Sequence, residues 1–392
     1  MMRKQSAVEE FPPGDYLQEF IDDRGWTQED LAAILGRPSQ VISEIIHDKR
    51  RITPDTARGL AQAFGTSAEL WLNLDAAWQL YKSRDEQTDS GVTQRARLYS
   101  KGPLKEMAKR GWIEMSSNPE VLEQRVLDFY QIKDLEDDPP MLQAAARMST
   151  SYDELTPAQV SWMCRAAQLG RSLTIHREFD KRRIGGLIRQ LRMYLLHPQE
   201  IRRIPDTLSA FGVRLVIVQH LSTTKIDGAC VWLDKKSPVI ALSLRHGRID
   251  AFWFTLMHEI GHAARGDEGG KAVTSFLDEQ LSDEAPPEGV RPPFEVAADD
   301  FAEEALIPQD EMNDFVDRKG PLFSEKDIKG FALLHNVHPG IVVGQLHHRW
   351  SKDQRTGVHY SKFRRQLVQV REFIVDSALA DGFGRSAPAI SP

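Results

Sequence analysis

The sequence has 392 residues, and because a single hydrophobic core rarely grows beyond ~250 residues we expect two or three domains. It is 41% hydrophobic and 27% charged with a net charge of −7, which is typical of a globular protein and gives no sign of general affinity for nucleic acid. No stretch reaches the ~18 consecutive apolar residues of a membrane helix, and two cysteines exclude a disulfide framework and a thiolate zinc cluster. The start of the sequence lacks the apolar core of a signal peptide, so we expect a cytoplasmic protein.

Signals for short helices are dense between residues 14 and 85. Capping residues and helix-breaking glycines recur at Gly25, Thr27, Gly36, Thr53, Gly65 and Ser67. The pattern predicts five helices, and the turn at Gly36 joins two of them in the manner of a helix-turn-helix element. We expect this helix-turn-helix domain to span residues 1–84 and to be followed by a polar linker, 85–94.

The helix predicted to start near Ser39 has an outward polar side that could reach base edges in a major groove. The candidate DNA contacts are Gln28, Ser39, Gln40, Ser43, Lys49, Arg50 and Arg51. Residues 26–58 hold five basic and five acidic side chains, so attraction to phosphates is weak. A helical bundle that binds no nucleic acid therefore stays an alternative.

The stretch GWTQEDLAAILGRPSQVISEIIHDKRRITPDTARGLAQAFGTSAELWLNLDAAW closely resembles the HigA-type antitoxins, a branch of the phage-repressor-like helix-turn-helix family. The resemblance covers residues 13–80. It implies a transcriptional regulator whose helix near Ser39 reads double-stranded operator DNA, usually as a homodimer. A toxin is a further partner that this resemblance suggests.

From residue 95 to 204 the chain is predicted to be helical and carries no concentrated chemistry. Apolar, β-branched runs follow in FGVRLVIVQHL, GACVWLD and PVIALSL, and KKSP is predicted to join the last two as a hairpin. Residues 205–350 are expected to form a C-terminal domain with a small twisted sheet, and 351–392 a helix and a flexible tail. The expected fold is therefore multidomain and mainly α, with a small α+β part.

The segment LMHEIGHAAR places two histidines four residues apart, with Glu259 directly after the first. On a helix, His258 and His262 lie about 40° apart on one face and can bind one ion, beside which Glu259 can take a proton from water. The segment EVAADDFAEEALIP offers Glu295 as a third ligand and Asp299, one turn later, as a hydrogen-bond partner of a ligand histidine. The alternative is that Glu295 is a solvent-exposed acidic residue at the start of a helix, where the helix dipole favours a negative charge. The pattern predicts a Zn²⁺ site with an open position for water.

These segments and FALLHNVHPGIVVGQLHHRW resemble the ImmA/IrrE family of zinc metallopeptidases over roughly 205–350. The resemblance implies a zincin-like fold in which His258, His262 and Glu295 hold zinc and Glu259 is the general base. Asp299 stands where this family often has Asn. Members typically cut a repressor and thereby relieve its block on stress or mobile-element genes.

Three functions remain compatible with the sequence. The first is a DNA-binding transcriptional regulator with an active zinc endopeptidase that cleaves a repressor or itself. The second is an antitoxin or autoregulator whose zinc domain is a non-catalytic sensor or scaffold, and the third is an enzyme whose N-terminal domain only mediates dimerisation. The donor that stabilises the oxyanion is open among His335, His338, His347, His348 and Tyr360.

Overall fold

The structure is a computed structural model that describes residues 11–83, 90–140, 155–265, 274–275, 293–353 and 361–384. The chain divides into two compact units, unit 1 (Met1–Thr93) and unit 2 (Gln94–Pro392). Over the described ranges the fold is mainly helical with one small mixed sheet, as expected. None of the helices in these ranges combines the length and the apolar character needed to cross a membrane.

Unit 1 is a bundle of short helices around one apolar core. The helices of residues 11–83 are α1 (Pro13–Asp23), α2 (Gln28–Leu35), α3 (Ser39–Ile46), α4 (Pro54–Phe64) and α5 (Ala68–Lys82). Thr27 and Asp30 form a capping box at the start of α2, and Gly36 ends it in the left-handed conformation at φ 61°. The five predicted helices are thus confirmed, and Leu31, Ile42 and Trp71 are buried in the core.

Unit 2 alternates helices with strands of a five-stranded sheet. The helices of the described residues from Ser90 onwards are α6 (Ser90–Ser100), which begins within the last residues of unit 1, α7 (Leu104–Lys109), α8 (Pro119–Tyr130), α9 (Pro157–Ser172), α10 (Ile184–Arg192), α11 (Ile204–Ala210), α12 (Ile249–Arg265), α13 (Pro293–Leu306), α14 (Gln309–Lys319), α15 (Glu325–Leu334), α16 (Pro339–Asp353) and α17 (Arg371–Val375). The strands are β1 (Arg214–Val218), β2 (Gly228–Trp232), β3 (Pro238–Leu242), β4 (Thr274–Ser275) and β5 (Leu379–Asp381).

The strands lie in the order β4-β2-β3-β1-β5. Strand β1 runs parallel to β3 and β5, whereas β2 is antiparallel to β3 and β4. Leu215 and Ile217 of β1 pack into the core that includes α12, while Val216 and Val218 pack into a second core with α8 and α9. Because both faces are covered, the strands are apolar almost throughout.

The hairpin predicted at KKSP is confirmed, since Cys230 of β2 pairs with Ile240 of β3. Three expected boundaries differ from the structure. Helix α6 begins at Ser90, inside the expected linker 85–94, of which residues 84–89 lie outside the described ranges. Within the helical middle, 95–204, residues between 98 and 169 pack on one face of the sheet and residues between 184 and 204 pack on the other, so this region belongs to the same unit as the strands.

The third difference concerns residues 351–392, which were expected to form a helix and a flexible tail. Residues 379–381 instead form β5, because their backbone continues the parallel ladder of β1 at the edge of the sheet. The Asp381 carboxylate is buried against Arg165 and Trp112 and fastens this strand to α9. Residues 385–392, the expected tail, lie outside the described ranges.

Candidate metal centre and nucleic-acid interface

Helix α12 carries the HEIGH segment through the interior of unit 2. It packs against strands β2 and β3 and against helices α13 and α16. Its long apolar run buries the helix on nearly all sides, and His258 and Glu259 have no exposed surface. Gly261 permits the close approach of α13, since a Cβ there would lie 3.0 Å from Phe301 Cδ1.

Three side chains from α12 and α13 converge on one point. Nε2 of His258 lies 2.9 Å from Nε2 of His262 and 3.1 Å from Oε2 of Glu295. Nε2 of His262 lies 3.6 Å from Oε1 of Glu295, and the ligand atoms of all three residues lie within 4.8 Å of one another. Ligands at zinc distances in tetrahedral geometry are about 3.3 Å apart, close to these separations.

Asp299 determines how His258 presents its ring. Oδ1 of Asp299 lies 2.9 Å from Nδ1 of His258, and a carboxylate at that distance requires the proton on Nδ1. When the ring is neutral, the lone pair of its Nε2 points towards His262 and Glu295. Both carboxylate oxygens of Glu295 are buried without a hydrogen-bond partner of good geometry among the described residues. A cation suits this meeting of electron-pair donors, so the residues present fit a metal ion.

The electrostatics of the protein without a metal agree with this fit. Burial alone would lower the pKa of His258, but the contacts with Asp299 and Glu295 raise it to about 10. Burial alone would raise the pKa of Glu295, but the nearby His258 and His262 lower it to about 2. The pocket therefore favours a positive charge at the point where the three side chains meet.

Glu259 lies beside this triangle, against strand β2. A Cβ on Gly228 would lie 2.9 Å from Oε1 of Glu259 and 2.6 Å from Cγ2 of Thr255, so the missing side chain leaves space for the carboxylate. Burial and the charge of Glu259 raise the pKa of the Cys230 thiol well above its usual value. Cys230 is therefore a neutral thiol, which is a poor metal ligand.

The four histidines considered as oxyanion donors each have a partner other than the three ligands. These pairs are His335 with Glu311 (3.2 Å), His338 Nδ1 with the Gly340 N–H (3.0 Å), His347 Nε2 with the Lys362 carbonyl (2.9 Å) and His348 with Glu303 (3.3 Å). Tyr360 lies outside the described residues. The geometry thus singles out no oxyanion donor among them.

The seven candidate DNA contacts of unit 1 lie on three segments: Ser39, Gln40 and Ser43 on α3, Lys49, Arg50 and Arg51 in the loop after it, and Gln28 at the start of α2. Ser39, Gln40, Lys49, Arg50 and Arg51 are exposed, whereas Gln28 and Ser43 are half-buried. Nε2 of Gln28 donates to Oε1 of Gln18, 3.2 Å away, which fixes it to α1.

Arg51 has a structural partner as well. Its Nε donates to Oδ2 of Asp75 at 3.0 Å, and the other oxygen of that buried carboxylate accepts the N–H of Ile52. Arg51 is therefore a tether between the loop and α5 in addition to being exposed.

Glu44, a further residue on the outward side of α3, was not among the candidate DNA contacts. Its carboxylate accepts hydrogen bonds from Gln40 (2.8 Å) and Arg50 (3.0 Å), so it joins two of the candidate contacts. The spacing of four residues between Gln40 and Glu44 on a helix was the available signal.

A second helix-turn-helix arrangement occurs in unit 2, formed by α15 and α16. Asn336 adopts the left-handed conformation at φ 55° in the turn between these two helices. When the two elements are aligned with an offset of 300 residues, Ala332, Asn336 and Leu346 correspond to Ala32, Gly36 and Ile46. Residues 340–347 of α16 are buried almost throughout, and a Cβ on Gly344 would lie 2.5 Å from Cβ of Asp250. Over residues 340–347 this second helix is part of the core and leaves no exposed face for a groove of DNA.

Residues 17–71 match a family described as helix-turn-helix. The uncharacterised HTH-type transcriptional regulator YddM of Escherichia coli strain K12 is 32% identical over 68 residues, covering 17% of this chain and 72% of that protein. Virulence-associated protein I of Dichelobacter nodosus is 34% identical over 81 residues, covering 20% of this chain and 75% of that protein. An addiction module antidote protein of a HigA family from Coxiella burnetii is 31% identical, covering 21% of this chain and 91% of that chain, with a TM-score of 0.20.

Proposed function

Since the chain belongs through unit 1 to the helix-turn-helix family of transcriptional regulators, we propose that it is a DNA-binding regulator whose unit 2 is a zinc-dependent endopeptidase. The DNA-binding part has exposed polar side chains along α3 and basic residues directly after it. The peptidase part cleaves a repressor, or the chain itself, and so controls stress or mobile-element genes. Operator DNA and a second copy of the chain are its partners in regulation.

The observation that carries the peptidase proposal is the convergence of His258, His262 and Glu295 beside a buried Glu259. Three buried side chains of this kind are what a catalytic zinc ion requires, with one position left for water or substrate. A structural zinc ion is usually closed by a fourth side chain, and His258, His262 and Glu295 form a group of three among the described residues.

Zinc bound by the three side chains would supply Lewis-acid chemistry, lowering the pKa of water and polarising a peptide carbonyl. Asp299 holds the ring of His258 in the tautomer that directs Nε2 at the ion. The Glu259 carboxylate takes the proton that the attacking water loses and later donates it to the leaving amine. The apolar walls of α12 exclude bulk water, which strengthens each of these interactions.

A second candidate is an antitoxin or autoregulator whose unit 2 binds zinc as a sensor or scaffold. The complete burial of His258 and Glu259 favours it, because a substrate must reach both residues before cleavage. In this case unit 2 changes DNA binding when the ion binds, and a toxin could be the partner.

Metal analysis of the purified full-length protein tests the site directly. Mass spectrometry should find about one zinc ion per chain, lost in a His258→Ala variant. The two candidate functions are then separated by Glu259→Gln, which should keep zinc yet abolish the new protein N-termini that the wild type generates in a lysate. Absence of zinc after supplementation would refute both, and cleavage that survives in Glu259→Gln would exclude Glu259 as the base.

A further inference from the structure

Helix α3 places an acidic residue at the centre of the surface that would meet DNA. At about 100° per residue, Gln40, Glu44 and His47 project on the side opposite the buried Ile42 and Ile45. The side chain of Glu44 is 29% exposed. A duplex lying along the outward side of α3 must therefore meet this carboxylate.

Two neighbouring side chains hold the carboxylate in place. Nε2 of Gln40 donates to Oε1 at 2.8 Å, and Nη1 of Arg50 donates to Oε2 at 3.0 Å. The contact with Arg50, followed by that with Gln40, lowers the pKa of Glu44, so the group is ionised at neutral pH. An ionised carboxylate has about four lone-pair positions, and these two contacts leave about two available to a base.

The base edges of the major groove differ in what they can offer such an acceptor. Cytosine presents only the N4 amino donor, whereas guanine presents the acceptors N7 and O6. Adenine offers N6–H beside the acceptor N7, which repels a carboxylate, and thymine offers O4 and a methyl group. Cytosine is therefore the base that can donate a hydrogen bond to the Glu44 carboxylate without placing a hydrogen-bond acceptor next to it.

We propose that Glu44 determines sequence specificity in unit 1 by accepting a hydrogen bond from N4 of a cytosine in the operator, an inference that rests on the proposed DNA-binding role. The same carboxylate positions Gln40 for a neighbouring base and Arg50 for a phosphate. On other sequences, the carboxylate meets base acceptors and loses solvation without compensation, so it acts against binding to bulk DNA.

The experiment uses the full-length protein and a random pool of duplex DNA. Wild type, Glu44→Gln, Glu44→Ala and the control Glu69→Gln, which removes the same charge from an exposed position on α5, are each put through repeated selection. Binding of each protein to the wild-type consensus, to its single-base variants and to bulk DNA is then measured.

Wild type and Glu69→Gln should require a cytosine at one position of each half-site. Glu44→Gln and Glu44→Ala should lose discrimination against the other bases there by about tenfold or more, with bulk DNA bound at least as well as by wild type. Unchanged thermal unfolding would show that both variants remain folded.

An unchanged base preference in folded Glu44 variants would overturn the proposal while leaving DNA binding in place. So would a wild-type consensus that lacks a fixed cytosine. Failure of the wild type to enrich any sequence would instead remove the DNA-binding role, and this inference with it.

Discussion

Oδ1 of Asp299 lies 2.9 Å from Nδ1 of His258, and both side chains are buried between α12 and α13. This pair links the two helices that carry the candidate zinc ligands. It fixes the ring of His258 so that its second nitrogen faces His262 and Glu295. The relationship gives Asp299 a role that can be tested apart from the ligands themselves.

Asp299→Ala should weaken zinc binding by about 10–100-fold, because the ring of His258 loses the partner that sets its tautomer and orientation. Asp299→Asn should have a smaller effect, since an amide oxygen can still accept from Nδ1–H. Competition with a chelator of known affinity measures both. Asp300→Ala, at the exposed neighbouring position, is the control, and equal zinc affinity in Asp299→Ala and wild type would contradict the assigned role.

Gly228→Ala should reduce cleavage more than it reduces zinc binding. The added Cβ would lie 2.6 Å from Cγ2 of Thr255 and 2.9 Å from Oε1 of Glu259, so the carboxylate must move. The N-termini generated in a lysate report cleavage, and metal analysis reports zinc content. Gly330→Ala on α15 is the matched control, since a Cβ there meets nothing within 4 Å. Full cleavage by Gly228→Ala would show that Glu259 tolerates the displacement.

Asp75→Ala should destabilise unit 1 by about 1–3 kcal/mol, because the buried N–H of Ile52 loses its acceptor. The ion pair between Arg51 and Asp75 adds little to this free energy, because the guanidinium of Arg51 is largely exposed to solvent. Denaturant unfolding followed by tryptophan fluorescence should show the transition of unit 1 at a lower denaturant concentration. Glu19→Ala, at an exposed position of α1, should change stability by less than about 0.5 kcal/mol. Equal effects of the two variants would argue against an anchoring role of Asp75.

Asp381→Ala should destabilise unit 2 by about 3–5 kcal/mol, since it leaves the buried guanidinium of Arg165 without its carboxylate. Trp112 Nε1, which donates to Asp381 Oδ2 at 2.9 Å, loses its acceptor as well. Thermal unfolding measures the loss, with Glu372→Ala on the exposed side of α17 as the control. A shift no larger than that of the control would mean that β5 adds little to the stability of the sheet.

Local chemistry in the sequence was sufficient for the helices of unit 1 and for two of the three candidate zinc ligands. Thr27, Gly36 and Ser67 act within one turn of the backbone, so their effects can be predicted without knowing the fold. His258 and His262 share a face by helix geometry alone. Glu295 and Asp299, in contrast, reach His258 only because α13 packs against α12, which no local pattern specifies.

The two helix-turn-helix elements separate what the sequence determined from what the tertiary structure decided. The sequence alone predicted that residues 28–46 form two helices joined by a turn at Gly36, because capping residues and Gly36 act locally, whereas the similar element of residues 325–353, with its left-handed Asn336, became apparent only in the structure. Only the tertiary structure decided that α3 remains at the surface, where DNA can reach it, while α16 is enclosed in the core of unit 2. The physical reason is that burial depends on which distant segments cover a helix, and that choice follows from packing the whole chain.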